Sequence, residues 1–344
     1  MKTLSGLVAV SISAAFLAAC GGNNNSLPTP ISMAPASAGI ASSARLGATS
    51  AHLYVANYHG FNVTAYAKTG GAPVRTLSQG VTEPDSVALN SSGDLYVANF
   101  AKRGSVTVYG PGGTSPVLRI SKGVYKPTAL AIDASGNLYV ANPRRPQSTV
   151  TVFAPGSNTV LRTISQGVSL PEALAFDTSG NLYVANISTV TVYAPGSGTV
   201  LRTISQGIDQ PTALILDTSG NLYVANSLAN TVTEYGPGST SVLRTISRGV
   251  DAPLALALSH SGSLYVANSE ANTVTVYTHH SGALHQTISQ GVDFPTALAF
   301  DGAGNLYVGN YDNNTVTVYA PHSNSASETI DQGLLNPRAM AFGP

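Results

Sequence analysis

Few side chains in this sequence have a type and spacing that could do chemistry. Seven histidines (His52, His59, His260, His279, His280, His285 and His322) are scattered, and none keeps a fixed place relative to a serine and an aspartate, as acyl transfer would need. There is no metal-ligand spacing and no glycine-rich phosphate loop. Two sets of charged residues remain. Lys102, Arg103, Lys122, Lys126, Arg144 and Arg145 bring together six of the sixteen basic residues, a concentration that would draw an anionic partner. Asp85, Glu172 and Arg338 each follow a proline that opens a recurring segment, where other copies carry Thr128, Thr212, Leu254 and Thr296.

Those residues are positioned by a repeat. Tyr-Val-Ala-Asn stands at Tyr54–Asn57, Tyr96–Asn99, Tyr139–Asn142, Tyr183–Asn186, Tyr223–Asn226 and Tyr265–Asn268, and Tyr307–Asn310 carries Gly309 in place of Ala. Successive copies begin 42, 43, 44, 40, 42 and 42 residues apart, a period that signals a repeat architecture. The copy at 211–250 contains four strand-like pieces: Pro211–Asp217, Asn221–Asn226, Thr231–Tyr235 and Val242–Ser247. Each is rich in β-branched or aromatic residues and bounded by turn chemistry, with Gly220 supplying the positive φ of the first hairpin. Four antiparallel strands per repeat make one propeller blade. The first copy, from His52, lacks an opening strand, and Pro337–Phe342 is an opening strand without the rest of a blade. Joined, they complete a seventh blade and close a ring with no exposed sheet edge between the chain ends.

Composition fits an all-β chain. Hydrophobic residues make up 43% and charged residues 9%, and no helical periodicity follows residue 20. Sixteen basic and sixteen acidic residues balance, so no global field favours nucleic acid or an anionic membrane, and the reading is a monomer. First strands offer small residues for the axis, such as Ala129, Ala131, Ala173, Ala175, Ala297 and Ala299. Fourth strands carry Arg162, Arg202 and Arg244, read as charged guards on exposed edges.

The recurring Pro-Thr-Ala-Leu-Ala-Phe-Asp-x-x-Gly-Asn-Leu-Tyr-Val-Ala-Asn, followed by Asn-Thr-Val-Thr-Val-Tyr, resembles the NHL-repeat and YVTN-repeat propellers across residues 51–344. The resemblance implies a seven-bladed β-propeller; such propellers serve as interaction platforms, lactonases, lyases and oxidoreductase scaffolds, so it does not choose an activity. Lactonase-like members hold a divalent cation at the channel mouth through carboxylates and amides, and Asp85 and Glu172 are the residues here that could imitate a Ca²⁺ site. The opposing expectation is that Asp85 and Arg338, in adjacent blades, form a plain ion pair. The seven Asn residues are expected to cap loops, since a ligand would not need seven copies.

Met1–Ala19 has an early Lys2, an apolar stretch from Leu4 to Leu17 and then small residues, the pattern of a secretory signal peptide. Leu17-Ala18-Ala19-Cys20-Gly21 resembles the bacterial lipoprotein box, which implies acylation of Cys20 and, with Gly21 following, the outer membrane. Residues 20–50, poor in charge and bulk, are expected to form a flexible tether.

Between each repeat Asn and its third strand lie 4, 5, 6, 2, 4, 4 and 4 residues, and adding 38 reproduces every repeat spacing. Length therefore varies only in these loops, in blades 2, 3 and 4, on the face that also carries the basic cluster. The reading is a lipid-anchored binding platform for an acidic protein or glycan, not nucleic acid, since no aromatic platform accompanies the patch. A metal-dependent lactonase- or lyase-like enzyme at the channel mouth is the alternative.

Overall fold

The computed structural model describes residues 52–67, 70–101, 103–279 and 281–344. The expected signal peptide (residues 1–19), Cys20, the expected tether (residues 20–50), Lys102 and His280 lie outside the described residues. Twenty-eight strands form seven four-stranded antiparallel sheets, with no helix among the described residues. In blade 1, β28 (Pro337–Gly343) pairs with β1 (His52–Asn57), followed by β2 (Asn62–Tyr66) and β3 (Arg75–Leu77). Blades 2 to 7 each take four consecutive strands, from β4 (Pro84–Leu89) in blade 2 to β24 (Pro295–Phe300) in blade 7. The seven-bladed ring closed by the last strand is as expected.

The apolar interior is distributed. Seven clusters of buried side chains fill the seven seams between neighbouring blades, each built from the facing sides of two sheets. Every second strand is buried on both faces, which is why Leu-Tyr-Val-Ala reads as a continuous apolar run. Outer strands alternate: in Val242–Ile246, Leu243 and Thr245 face solvent while Val242, Arg244 and Ile246 turn inward.

That alternation corrects the reading of the outer arginines as solvent-facing guards. Arg162 and Arg202 fold back over the second strand, donating through Nη2 to the hydroxyls of Tyr139 and Tyr183 at 2.6 and 2.7 Å. Their guanidinium carbons lie 5.5 and 5.6 Å from those ring centres, and Arg75 repeats the contact on Tyr54 in blade 1. Arg244 instead pairs with buried Glu234 at 3.2 Å.

Polar side chains tie the seams. Third strands end in Tyr66, Tyr109, Tyr193, Tyr235, Tyr277 and Tyr319, and each hydroxyl donates to a backbone carbonyl of the connection entering its blade, such as Tyr193 to Gln166 at 2.6 Å. Blade 3 ends in Phe153 and has no hydroxyl to give. The repeat Asn is a second tie. Asn226 Nδ2 donates to the Val224 carbonyl (3.2 Å) and Thr233 Oγ1 (3.1 Å), while its Oδ1 accepts the Asp209 N–H (3.1 Å). The Asn residues are thus structural, as expected: Nδ2 spans the loop that follows, as from Asn57 to Asn62 Oδ1 (2.8 Å) and from Asn310 to Thr315 Oγ1 (3.1 Å), and Oδ1 also holds the connection arriving from the previous blade.

Candidate functional site

The residues after each first-strand proline do not form a ligand ring. In five blades this residue is the extra one in a β-bulge, between Pro84 and Ser86, Pro211 and Ala213, Pro253 and Ala255, Pro295 and Ala297, and Pro337 and Ala339. A bulge re-aims its side chain, and here the neighbouring blade receives it. Thr128, Thr212 and Thr296 donate their hydroxyls to the carbonyls of Pro171, Pro253 and Pro337, at 2.8, 2.6 and 2.6 Å. These bonds join blades 3 to 4, 5 to 6 and 7 to 1. Arg338 joins blade 1 to blade 2, its Nε 2.5 Å from Asp85 Oδ1 and its guanidinium 5.3 Å from the Tyr58 ring centre.

Asp85 is wholly buried, and its Oδ2 has no hydrogen-bond partner among the described residues. Burial pushes its carboxyl from 3.8 up to about 6, against the pull of Arg338. Glu172 is half-buried in blade 4. The Ca²⁺ site that Asp85 and Glu172 could imitate under the enzyme alternative gains no support from this arrangement: a guanidinium already holds one carboxylate, and the other belongs to a blade two places along the ring. No group of three or more His, Cys, Asp or Glu side chains among the described residues could hold a metal.

The variable ring lies one residue earlier. Glu83, Lys126, Leu170, Gln210, Ala252, Phe294 and Asn336 precede the seven prolines, all with φ between 43° and 52°. This left-handed backbone is uncommon for side-chain-bearing residues and more so before proline. Seven identical conformations carrying seven different residue types mark a position where the backbone is dictated and the side chain is free. All seven are at least partly exposed on the face bearing the variable loops.

On that face the structure brings part of the basic cluster together over aromatic rings. Lys126 Nζ lies 5.0 Å from the Phe100 ring centre, and the Arg144 guanidinium 5.1 Å from that of Tyr125. Gly104 makes the packing possible, because a Cβ there would stand 2.4 Å from the Lys126 backbone nitrogen. Arg103 borders a hollow with Tyr125, and Arg145 is exposed beside Arg144. Lys122 turns away to the rim, where it lines a different hollow with Arg119. The patch therefore does have aromatic partners, Phe100 and Tyr125, contrary to the expectation from sequence. Arg119 also escaped notice. The signal was its register: Thr76, Thr163, Thr203, Thr245, Thr287 and Thr329 occupy the matching place in the other six blades.

Charge is segregated along the chain. Residues 95–171 hold eight of the sixteen Lys and Arg and one acid, Asp133. Residues 172–344 hold twelve of the sixteen acids and four basic residues. Ion pairs among the described residues are Arg244–Glu234, His279–Asp217 and Arg338–Asp85, all outside the basic sector except for Asp85 at its margin.

No family model and no curated protein matches the chain. Solved structures do. A protein of unknown function from Desulfotomaculum acetoxidans is 13% identical with a TM-score of 0.71, over 85% of this chain and 98% of that one. A protein from Lactobacillus plantarum is 20% identical with a TM-score of 0.72, over 86% and 99%. The WD40 β-propeller domain of Doa1 is 14% identical with a TM-score of 0.66, over 79% and 90%. At these identities the likeness is one of fold, and the chain is a seven-bladed β-propeller.

Proposed function

We propose that this chain is an envelope-tethered binding platform that captures an anionic partner on the blade 2 and 3 sector of its variable-loop face. The observation that carries the reading is the pairing of Lys126 with Phe100 and Arg144 with Tyr125 within residues 95–171, which hold eight basic residues and one acid. Cations without an ion pair among the described residues keep their field for a ligand, and rings beneath them fix where they stand. Carboxylates on the opposite side of the ring would repel the same ligand and so orient its approach.

A signal peptide over residues 1–19, acylation at Cys20 and a tether over 20–50 complete the proposal, with the outer membrane as the site of anchoring. The NHL/YVTN resemblance supports a platform as much as an enzyme, and the Arg338–Asp85 pairing takes away the best acidic candidate for a lactonase- or lyase-like centre.

Dextran sulfate serves as a generic polyanion probe. Wild-type protein should bind it at low ionic strength and release it as salt rises. Arg144→Ser/Arg145→Ser with Lys126→Gln should weaken binding at least tenfold. Unchanged binding would overturn the reading of the face. For the anchor, mass spectrometry of the mature N-terminal peptide should find acyl chains on Cys20, and an unmodified peptide from soluble protein would rule this out.

A further inference from the structure

The seam between blades 2 and 3 differs from the other six on its outer rim. Two shallow hollows meet there at Arg119 and Ser121. One, about 540 Å³, runs past Arg103 to Tyr125 at the variable-loop face. The other, about 390 Å³, runs past Lys122 to Asn158, in the turn before β11 (Val160–Ile164), at the opposite face. Together they form one groove down the side of the ring.

Three departures from the repeat coincide at this seam, two of them in the groove and one in the core behind it. In β7 (Pro116–Ile120) the Val-Leu-Arg of other outer strands is slipped by one residue. A slip of one reverses the face, so Leu118 turns inward and Arg119 outward, away from Tyr96. Lys122 stands where Gln79, Gln166, Gln206, Gln290 and Gln332 stand in five other connections. Phe153 lacks the hydroxyl that ties the entering connection in the other six blades. Arg103, Arg119 and Lys122 are all exposed, and the sequence holds no acid between Asp94 and Asp133.

We infer that this groove binds a linear anionic polysaccharide, whose chain crosses from the variable-loop face over the rim along Arg103, Arg119 and Lys122. The inference rests on the proposed anion-binding face and extends it. Arg119 lies near the end of β7 and Lys122 in the turn closed by Val124 N–H on the Ser121 carbonyl; three residues apart, they are separated by up to about 10 Å, so they meet successive charged groups of a polymer better than one small anion. Ser121 and Asn158 offer hydroxyl and amide partners suited to sugar hydroxyls, and Tyr125 offers a ring face at the upper end. An acidic peptide is less well matched. Every blade presents the same outer strand edge to a peptide, whereas among the described residues only β7 turns an outer-strand arginine outward.

The test compares a sulfated dodecasaccharide, a sulfated tetrasaccharide and polyglutamate, by titration calorimetry at low salt. Arg119→Thr and Lys122→Gln install the repeat's own residues, so the fold should survive, which thermal melting verifies. The double variant should bind the dodecasaccharide about tenfold more weakly, while the tetrasaccharide, short enough to stay on the face, changes less than twofold. Arg144→Ser/Arg145→Ser should weaken both sugars. If the dodecasaccharide is indifferent to the rim variant but sensitive to the face variant, the groove proposal fails and the face reading stands. If wild-type protein binds neither sugar, both fail. Polyglutamate bound as tightly, with equal loss in the rim variant, would overturn the choice of polysaccharide.

Discussion

The seam between blades 1 and 2 and the seam between blades 2 and 3 are built from the same repeat and have opposite characters. At the first, the ring-closing strand β28 supplies Arg338, which reaches across to blade 2 and is sealed in with Asp85 beside Tyr58. Between blades 2 and 3 the third strand ends in Phe153, with no hydroxyl for the entering connection, and an arginine one residue out of register faces solvent. The contrast separates two uses of one cation. Buried against a carboxylate, Arg338 fixes a structure. Exposed without one, Arg119 is available to something else.

The largest effect should come from breaking the Arg338–Asp85 pair. Arg338→Ala strands a buried carboxylate and should lower unfolding free energy by about 3–5 kcal/mol in urea titrations near pH 7. Asp85→Leu/Arg338→Met should recover most of it, because an apolar pair leaves no charge behind. A loss no greater than that of a surface substitution would remove the clasp from the account.

The pH dependence comes next. The native state raises the Asp85 carboxyl from 3.8 to about 6 and so binds its proton more tightly than the unfolded chain. The stability this confers is complete below about pH 4 and is lost as pH rises through 6, on the order of 2–3 kcal/mol. Asp85→Asn should flatten the profile, and the deficit of Arg338→Ala should shrink at pH 5, where the carboxyl can take up a proton.

The hydroxyl ties give a smaller pair of effects. Tyr193→Phe should cost about 0.5–1.5 kcal/mol by releasing the Gln166 carbonyl, and Phe153→Tyr should gain a similar amount by giving blade 3 the tie it lacks. Equal and opposite shifts of the urea midpoint would confirm the difference between seams. Smallest is the contrast between two outer arginines. Arg202→Thr gives up the bond to Tyr183 and should cost about 1 kcal/mol, whereas Arg119→Thr should stay within about 0.5 kcal/mol of wild type.

The blade count, the four strands and the closure at Pro337 were legible in the sequence because repetition multiplies a weak local signal sevenfold. The Asp85–Arg338 pair could be anticipated from adjacency on the ring. The rest lay in contacts between repeats, which a single repeat cannot show. Nothing in Pro-Thr-Ala-Leu says that Thr212 donates to the next blade's proline carbonyl, because the bulge that aims it is a property of the sheet. The outer arginines looked like guards for a related reason. Alternation tells which residues face inward, but not that a long side chain can cross a strand and reach Tyr139. The aromatic partners Phe100 and Tyr125 were hidden because each belongs to a different segment from the cation it supports.

The pairing of β1 with β28 has a mechanical consequence. The chain enters the propeller at His52 on an inner strand, hydrogen-bonded on one side to β28 and on the other to β2. A pull transmitted through the preceding residues thus acts along a strand held from both flanks, with the bonds lying across the direction of force. Many must yield at once, where an outermost strand would peel one bond at a time. The ring resists traction at the point where a membrane tether would apply it.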